Sequence, residues 1–133
     1  ILKKYPFYVY DDEKFIGEAY VYLQIDQNYK MNIYDEVLYI CEYLDDGYTK
    51  NIKKIILNNP KSYSLLNKLK VKYANNMKEK FISNIKYVIG YFISKEKGVL
   101  KNSESKLLTI FTFPLAYIFY KIKYSENNMN GKK

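Results

Sequence analysis

Nucleophiles, bases and metal ligands are scarce in these 133 residues, and the scarcity bounds the chemistry. Histidine is absent, which removes the side chain that titrates near neutral pH and the commonest ligand of transition metals. Cys41 is the single cysteine, so no disulfide can close within the chain. The five glycines, at positions 17, 47, 90, 98 and 131, never gather into a phosphate-cradling loop or a nucleophile elbow. We therefore expect no catalytic residue, no metal and no cofactor. The chain is not expected to be an enzyme.

Charge is the other chemical resource. All 22 basic residues are Lys, set against 14 carboxylates for a net charge of +8. Such a balance invites a nucleic-acid partner. However, the planar fork that reads guanine edges and clamps phosphates belongs to Arg, which is missing. The lysines are also scattered, apart from Lys68, Lys70 and Lys72 and the terminal Lys132 and Lys133. A solvated basic surface is the plainer reading, and no nucleic-acid partner is expected.

The elements that must position any site read in helical period. Strict alternation is confined to "YPFYVY", where Pro6 argues against a central strand. Asp11 or Asp12 can cap a first helix reaching about Asn28, with Phe15, Ile16, Ala19, Tyr20 and Leu23 on one side. Asn32 and Asp35 resemble a capping arrangement for a second, in which Val37, Ile40, Cys41 and Leu44 form a stripe. "DDGY" ends it, with Asp45 and Asp46 ill-placed for that helix's dipole. Thr49 caps a short third helix carrying Ile52, Ile55 and Ile56, stopped by "NNP", and Ser62 opens a short fourth with Leu65, Leu66 and Leu69. After "KEKGVLKNSES", with Ser103 or Ser105 as cap, comes the apolar segment Leu107 to Ile122. Pro114 should end one helix near Phe113 and start another.

Between these lies "FISNIKYVIGYFI", apolar on nearly every side but interrupted by Asn84, Lys86 and Gly90. It and the last apolar segment are both shorter than the roughly 20 residues of a membrane span, so no stable span is expected. A helix apolar on several faces is buried on several faces, with Phe81, Ile85, Val88 and Phe92 on one side and Ile82, Ile89 and Ile93 on the other. Gly90 weakens the helix by roughly 1 kcal/mol relative to Ala, which makes sense where a neighbour approaches closely. The expectation is one all-α domain over 1–124, of about seven helices around a central hydrophobic helix at about 76–95. A polar tail over 125–133 follows. The chain opens on Ile1 rather than Met, and we expect sequence upstream of it.

Three segments, "ICEYLDDGYTKNIKKIILNNPKSYSLLNKL", "NNMKEKFISNIKYVIGYFI" and "SESKLLTIFTFPLAYIFYKIKY", are similar in order and spacing to the small poxviral Bcl-2-like virulence proteins. The resemblance covers about residues 12 to 124 and rests on pattern and a few identities such as "LDDG" and "NN". It implies a Bcl-2-like bundle that acts by stoichiometric protein contact in the cytoplasm of a host cell, including the periphery of mitochondria. Some relatives hold the BH3 helix of pro-apoptotic proteins in a groove, which makes inhibition of host apoptosis the leading expectation. Others inhibit innate immune signalling towards NF-κB by contacting adaptors, which is the alternative. An unrelated helical structural or exported protein is a third reading.

On that resemblance the groove is lined by Ile52, Ile56, Leu65, Leu69, Tyr73, Met77 and Phe81. Cellular relatives open the central helix with Asn-Trp-Gly-Arg, whose Arg pairs with the BH3 aspartate; here the matching "NNMKEKF" lacks Trp, Gly and Arg, leaving Lys78 or Lys80 as the substitute charge. The resemblance further implies a homodimer, and the tyrosines Tyr20, Tyr22, Tyr117 and Tyr120 would form its interface.

Overall fold

The computed structural model describes residues 1–30, 32, 34–37, 39–42, 47, 48 and 50–124, and among these it is all-helical, with no strand. After a 3-10 turn at Leu2–Lys4 come α1 (Ala19–Ile25), α2 (Ile52–Asn58), α3 (Pro60–Tyr73), α4 (Met77–Ser94) and α5 (Lys106–Tyr124). The expected central helix is α4, which packs between α3 and α5 while α1 and α2 lie on α3. Leu44, Asp45, Asp46, Thr49 and the 125–133 tail lie outside the described residues.

Two expected helices are corrected. The first was expected from Asp11 or Asp12, but helix begins only at Ala19. The preceding residues are occupied elsewhere. Glu13 is buried, and its carboxylate accepts from the main-chain N–H groups of Lys61 and Ser62, both at 2.7 Å. It thereby serves as a long-range cap for α3, where a negative charge also meets the positive end of the helix dipole. Asn59 Oδ1 accepts from the N–H groups of Lys14 and Phe15 at 2.8 and 3.0 Å, and its Nδ2 donates to Ile55 O at 2.9 Å. These tertiary bonds hold residues 13–15 against the α2–α3 corner, and the chain over 11–18 is not helical. The second helix, expected over the 32–44 stripe, is absent among its described residues. Val37 and Ile40 are 82% and 86% exposed, and Cys41 is exposed as well. An amphipathic stripe without a surface to cover gains nothing from winding.

The α2–α3 corner follows the sequence more closely. Pro60 at the first position of α3 needs no N–H and has φ pre-set for the helix, so α3 starts two residues before the expected Ser62. At 14 residues it is not short. Asn76 caps α4, accepting from Glu79 N at 2.9 Å. At the other end Lys95 takes the left-handed φ of 57°.

Burial on α4 is less apolar than its sequence. Its buried residues are Ser83, Asn84, Tyr87, Val88, Ile89 and Gly90, whereas Ile82 is exposed, contrary to the expected second apolar face. Small groups let α3 approach: Ser64 Oγ donates to Tyr87 O at 2.7 Å, and the missing Gly90 side chain leaves room for the Pro60 carbonyl. Val88, Ile89, Ile56, Ala116 and Tyr124 join Tyr87 in the core, with Phe92 and Tyr120 packed at its edge.

The break expected at Pro114 does not occur; α5 runs through it. Proline forfeits one helical hydrogen bond and crowds the preceding turn, but Pro114 lies on the exposed side. The opposite side holds the helix in register. Asn84 Nδ2 donates to Thr112 Oγ1 at 2.7 Å and to Thr109 Oγ1 at 3.2 Å, while these hydroxyls donate to Leu108 O and Ser105 O. Buried contact on both sides of Pro114 outweighs the local penalty.

Burial pushes the Tyr87 and Tyr63 hydroxyls well above the ordinary tyrosine value of 10.0, so the fold holds both in the neutral form. Because the folded-state values are raised, the unfolded chain loses these protons first. Stability is full below pH 10 and falls as pH rises beyond it. Thermal melts between pH 9 and pH 11.5 should show a falling midpoint, with a smaller slope in Tyr87→Phe. A midpoint flat through pH 11.5 would contradict the burial of these rings.

Candidate functional site

An apolar trough crosses the molecule in two compartments. The first, a cavity of about 390 Å³, is walled by Phe15 and Ile16, by Ile52, Ile55 and Ile56 of α2, and by Tyr63 and Leu66 of α3. It exists because the segment before α1 is held against the α2–α3 corner by Asn59 and Glu13. Gly17 contributes through its size, since a Cβ there would stand 3.1 Å from Leu66 Cδ2. The second compartment, also about 390 Å³, lies over α4 and α5 between Phe81, Ile82, Ile85 and Ile89 and the pair Leu115 and Phe119. Tyr63, Lys86, Lys123 and Tyr124 line both compartments, so the two adjoin.

Cations gather where the compartments meet. Lys53, Lys70, Lys86 and Lys123 border the first compartment, and no carboxylate lines either one. Lys70 is pulled below its ordinary value of 10.5 by burial and by the neighbouring charge of Lys86. An anion in the trough would offset the repulsion between Lys70 and Lys86. On α3 the buried Ser62 Oγ and Asn67 Oδ1 make no hydrogen bond, and both residues border the first compartment. Apolar walls around a cationic waist accommodate an amphipathic ligand that carries a carboxylate among its apolar groups.

The expected groove residues are divided by the fold. Ile52 and Ile56 line the first compartment and Phe81 the second. Leu65 turns the other way, into a polar cavity of about 270 Å³ with Tyr10, Lys61 and Glu96. Leu69 and Tyr73 are half-buried but line neither compartment of the trough. Met77 and Lys78 are exposed at the start of α4, and neither Lys78 nor Lys80 borders the trough. Of the expected interface tyrosines, Tyr22 and Tyr117 are exposed and Tyr20 is half-buried. Tyr120 is half-buried, and its ring and that of Tyr117 both lie against Phe92, with centroids 5.5 and 5.7 Å away.

No protein-family model, curated protein or solved structure matches this chain.

The cationic waist is what the sequence reading passed over. Lys86 interrupts an apolar stretch, which was the available signal. Lys123 sits 37 positions away, and nothing local in the sequence pairs them. Cys41 is exposed and lies outside the trough. Among the described residues no three His, Cys, Asp or Glu side chains stand together as a metal-holding group.

Proposed function

We propose that this chain is a non-enzymatic protein-binding module. In this reading it is a reduced Bcl-2-like bundle that captures an amphipathic BH3-type helix and so inhibits host apoptosis. The supporting observation is the pair of adjoining apolar compartments with Lys86 and Lys123 lining both. A captured helix places apolar anchors at three- and four-residue spacing along such a trough. Its aspartate then falls opposite the waist, so Lys86 and Lys123, rather than Lys78 or Lys80, supply the charge partner. Lysine acts there as a point charge without a fork, giving attraction with little directional demand. Inhibition of NF-κB signalling by contact with adaptors is the competing activity for the same fold.

Titration with BH3 peptides tests the reading. Binding is expected in the nanomolar to low micromolar range, about −8 to −12 kcal/mol. The Lys86→Glu/Lys123→Glu variant should bind at least about tenfold more weakly, because like charges then face the peptide aspartate. Added salt should narrow that difference, since Lys86 is exposed. Absence of binding by every BH3 peptide at 100-fold higher concentration, in a chain that still blocks NF-κB activation in cells, would replace the first activity with the second.

A further inference from the structure

The α5 helix is packed with its polar side inward. Its buried residues are Thr109, Thr112, Ala116 and Tyr124, and Asn84 of α4 bonds to the two threonines. Leu107, Phe111, Ile118 and Ile122 recur along the opposite side and are 73%, 74%, 53% and 65% exposed. Ile110 and Tyr117 widen the stripe on one flank and Leu115 and Phe119 on the other, all of them exposed too. Soluble helices show the reverse pattern. Polar and small residues between helices with apolar side chains outward is the arrangement of proteins in contact with lipid. Taking such side chains at about 200 Å² each and half exposed, the face presents on the order of 800 Å², beyond the few hundred that monomers usually show.

Charge identifies what covers this face. Residues 60–124 contain 13 lysines and three carboxylates, a net of +10, whereas residues 1–59 contain seven lysines and ten carboxylates, a net of −3. The α5 helix itself has no carboxylate; Lys106 opens it and Lys121 and Lys123 lie in its last turn. Exposed Lys95, Lys97 and Lys101 precede it. A second copy docked face to face would bring two +10 halves together, whereas an anionic surface complements both the charge and the apolar stripe. No helix among the described residues is long and apolar enough to cross a membrane.

We propose that the outward face of α5 lies flat on a bilayer surface rich in anionic phospholipid. Its apolar stripe enters the headgroup boundary and the flanking lysines engage the lipid charge. The face adjoins the trough, sharing Leu115, Phe119 and Lys123 with its second compartment, but Leu107, Phe111, Ile118 and Ile122 line neither compartment. Substitutions at Phe111, Ile118, Lys101 and Lys106, none of which lines the trough, therefore test adsorption to lipid apart from capture of a peptide.

Sedimentation of the full chain with vesicles tests it, using phosphatidylcholine alone and phosphatidylcholine with one third phosphatidylserine. The chain should partition strongly to the anionic vesicles and weakly to the neutral ones. Phe111→Glu/Ile118→Glu, at two exposed positions, should cut partitioning by about tenfold or more while the melting temperature is retained. Lys101→Glu/Lys106→Glu should cut it by a similar factor on anionic vesicles only, and this variant decides the matter if the first fails to fold. The proposal is overturned if the wild-type chain ignores phosphatidylserine vesicles, or if neither variant weakens binding. It is equally overturned if the chain is a dimer that Phe111→Glu/Ile118→Glu splits without any lipid binding, since the face then belongs to a second copy.

Discussion

Replacing Gly90 by alanine is expected to destabilise the fold by about 2 kcal/mol or more, although alanine is the better helix former by roughly 1 kcal/mol. The added methyl would overlap Ser64 Oγ and stand 2.8 Å from the Pro60 carbonyl oxygen and 3.0 Å from Ser64 Cβ. Neither neighbour can yield cheaply. Ser64 Oγ donates to Tyr87 O at 2.7 Å, and moving it forfeits a buried hydrogen bond worth about 1 kcal/mol. Pro60 is main chain at the first turn of α3, whose N–H groups are held by Glu13. The whole helix must move for the methyl to fit. Urea denaturation of Gly90→Ala and of Ser64→Gly/Gly90→Ala measures this. The second substitution should recover only part of the loss, because the Pro60 contact remains. A Gly90→Ala protein as stable as the parent would mean that α3 and α4 are not in the described contact.

A carboxylate at Val88 should strongly destabilise the fold near neutral pH. Val88 is fully buried in the cluster with Tyr87, Ile89 and Ala116 and lines neither compartment of the trough, so an ionised group there has no bordering lysine to meet. The expected loss is about 4 kcal/mol or more, a large share of the 5–15 kcal/mol available to a domain. Ile89→Asp is the instructive companion. Ile89 borders the second compartment together with Lys86 and Lys123, so its carboxylate has cations within the same cavity and should cost less. Circular dichroism at pH 7 and pH 4.5 separates the cases. Burial raises the folded-state value of the new carboxyl at Val88, so its penalty is full at pH 7 and shrinks as falling pH protonates it. An unchanged urea midpoint at pH 7 in Val88→Asp would remove α4 from the centre of the fold.

The sequence alone determined the helical class, the central place of α4, and the close approach at Gly90. Each depends on local information: apolar periodicity, an apolar stretch that exceeds one face, and a glycine where nothing in the helix requires it. It also located the α2–α3 corner within two residues, because Pro60 acts through its own ring. What sequence could not determine was decided by partners distant along the chain. Glu13 and Asn59 hold residues 13–15 against the α2–α3 corner through bonds spanning more than 40 positions, and helix begins only at Ala19. The stripe at Val37 and Ile40 has the right period, but among the described residues both side chains are exposed and no helix forms there. Asn84 anchors Thr109 and Thr112, Ala116 and Tyr124 are buried beyond Pro114, and together these contacts carry α5 through the proline with its apolar side outward. Periodicity reports that a helix has an apolar side; it cannot report which side the neighbouring helix takes. That choice is a balance between hydrogen bonds and close packing at the contact and the apolar area left outside. Only the tertiary structure sets both quantities.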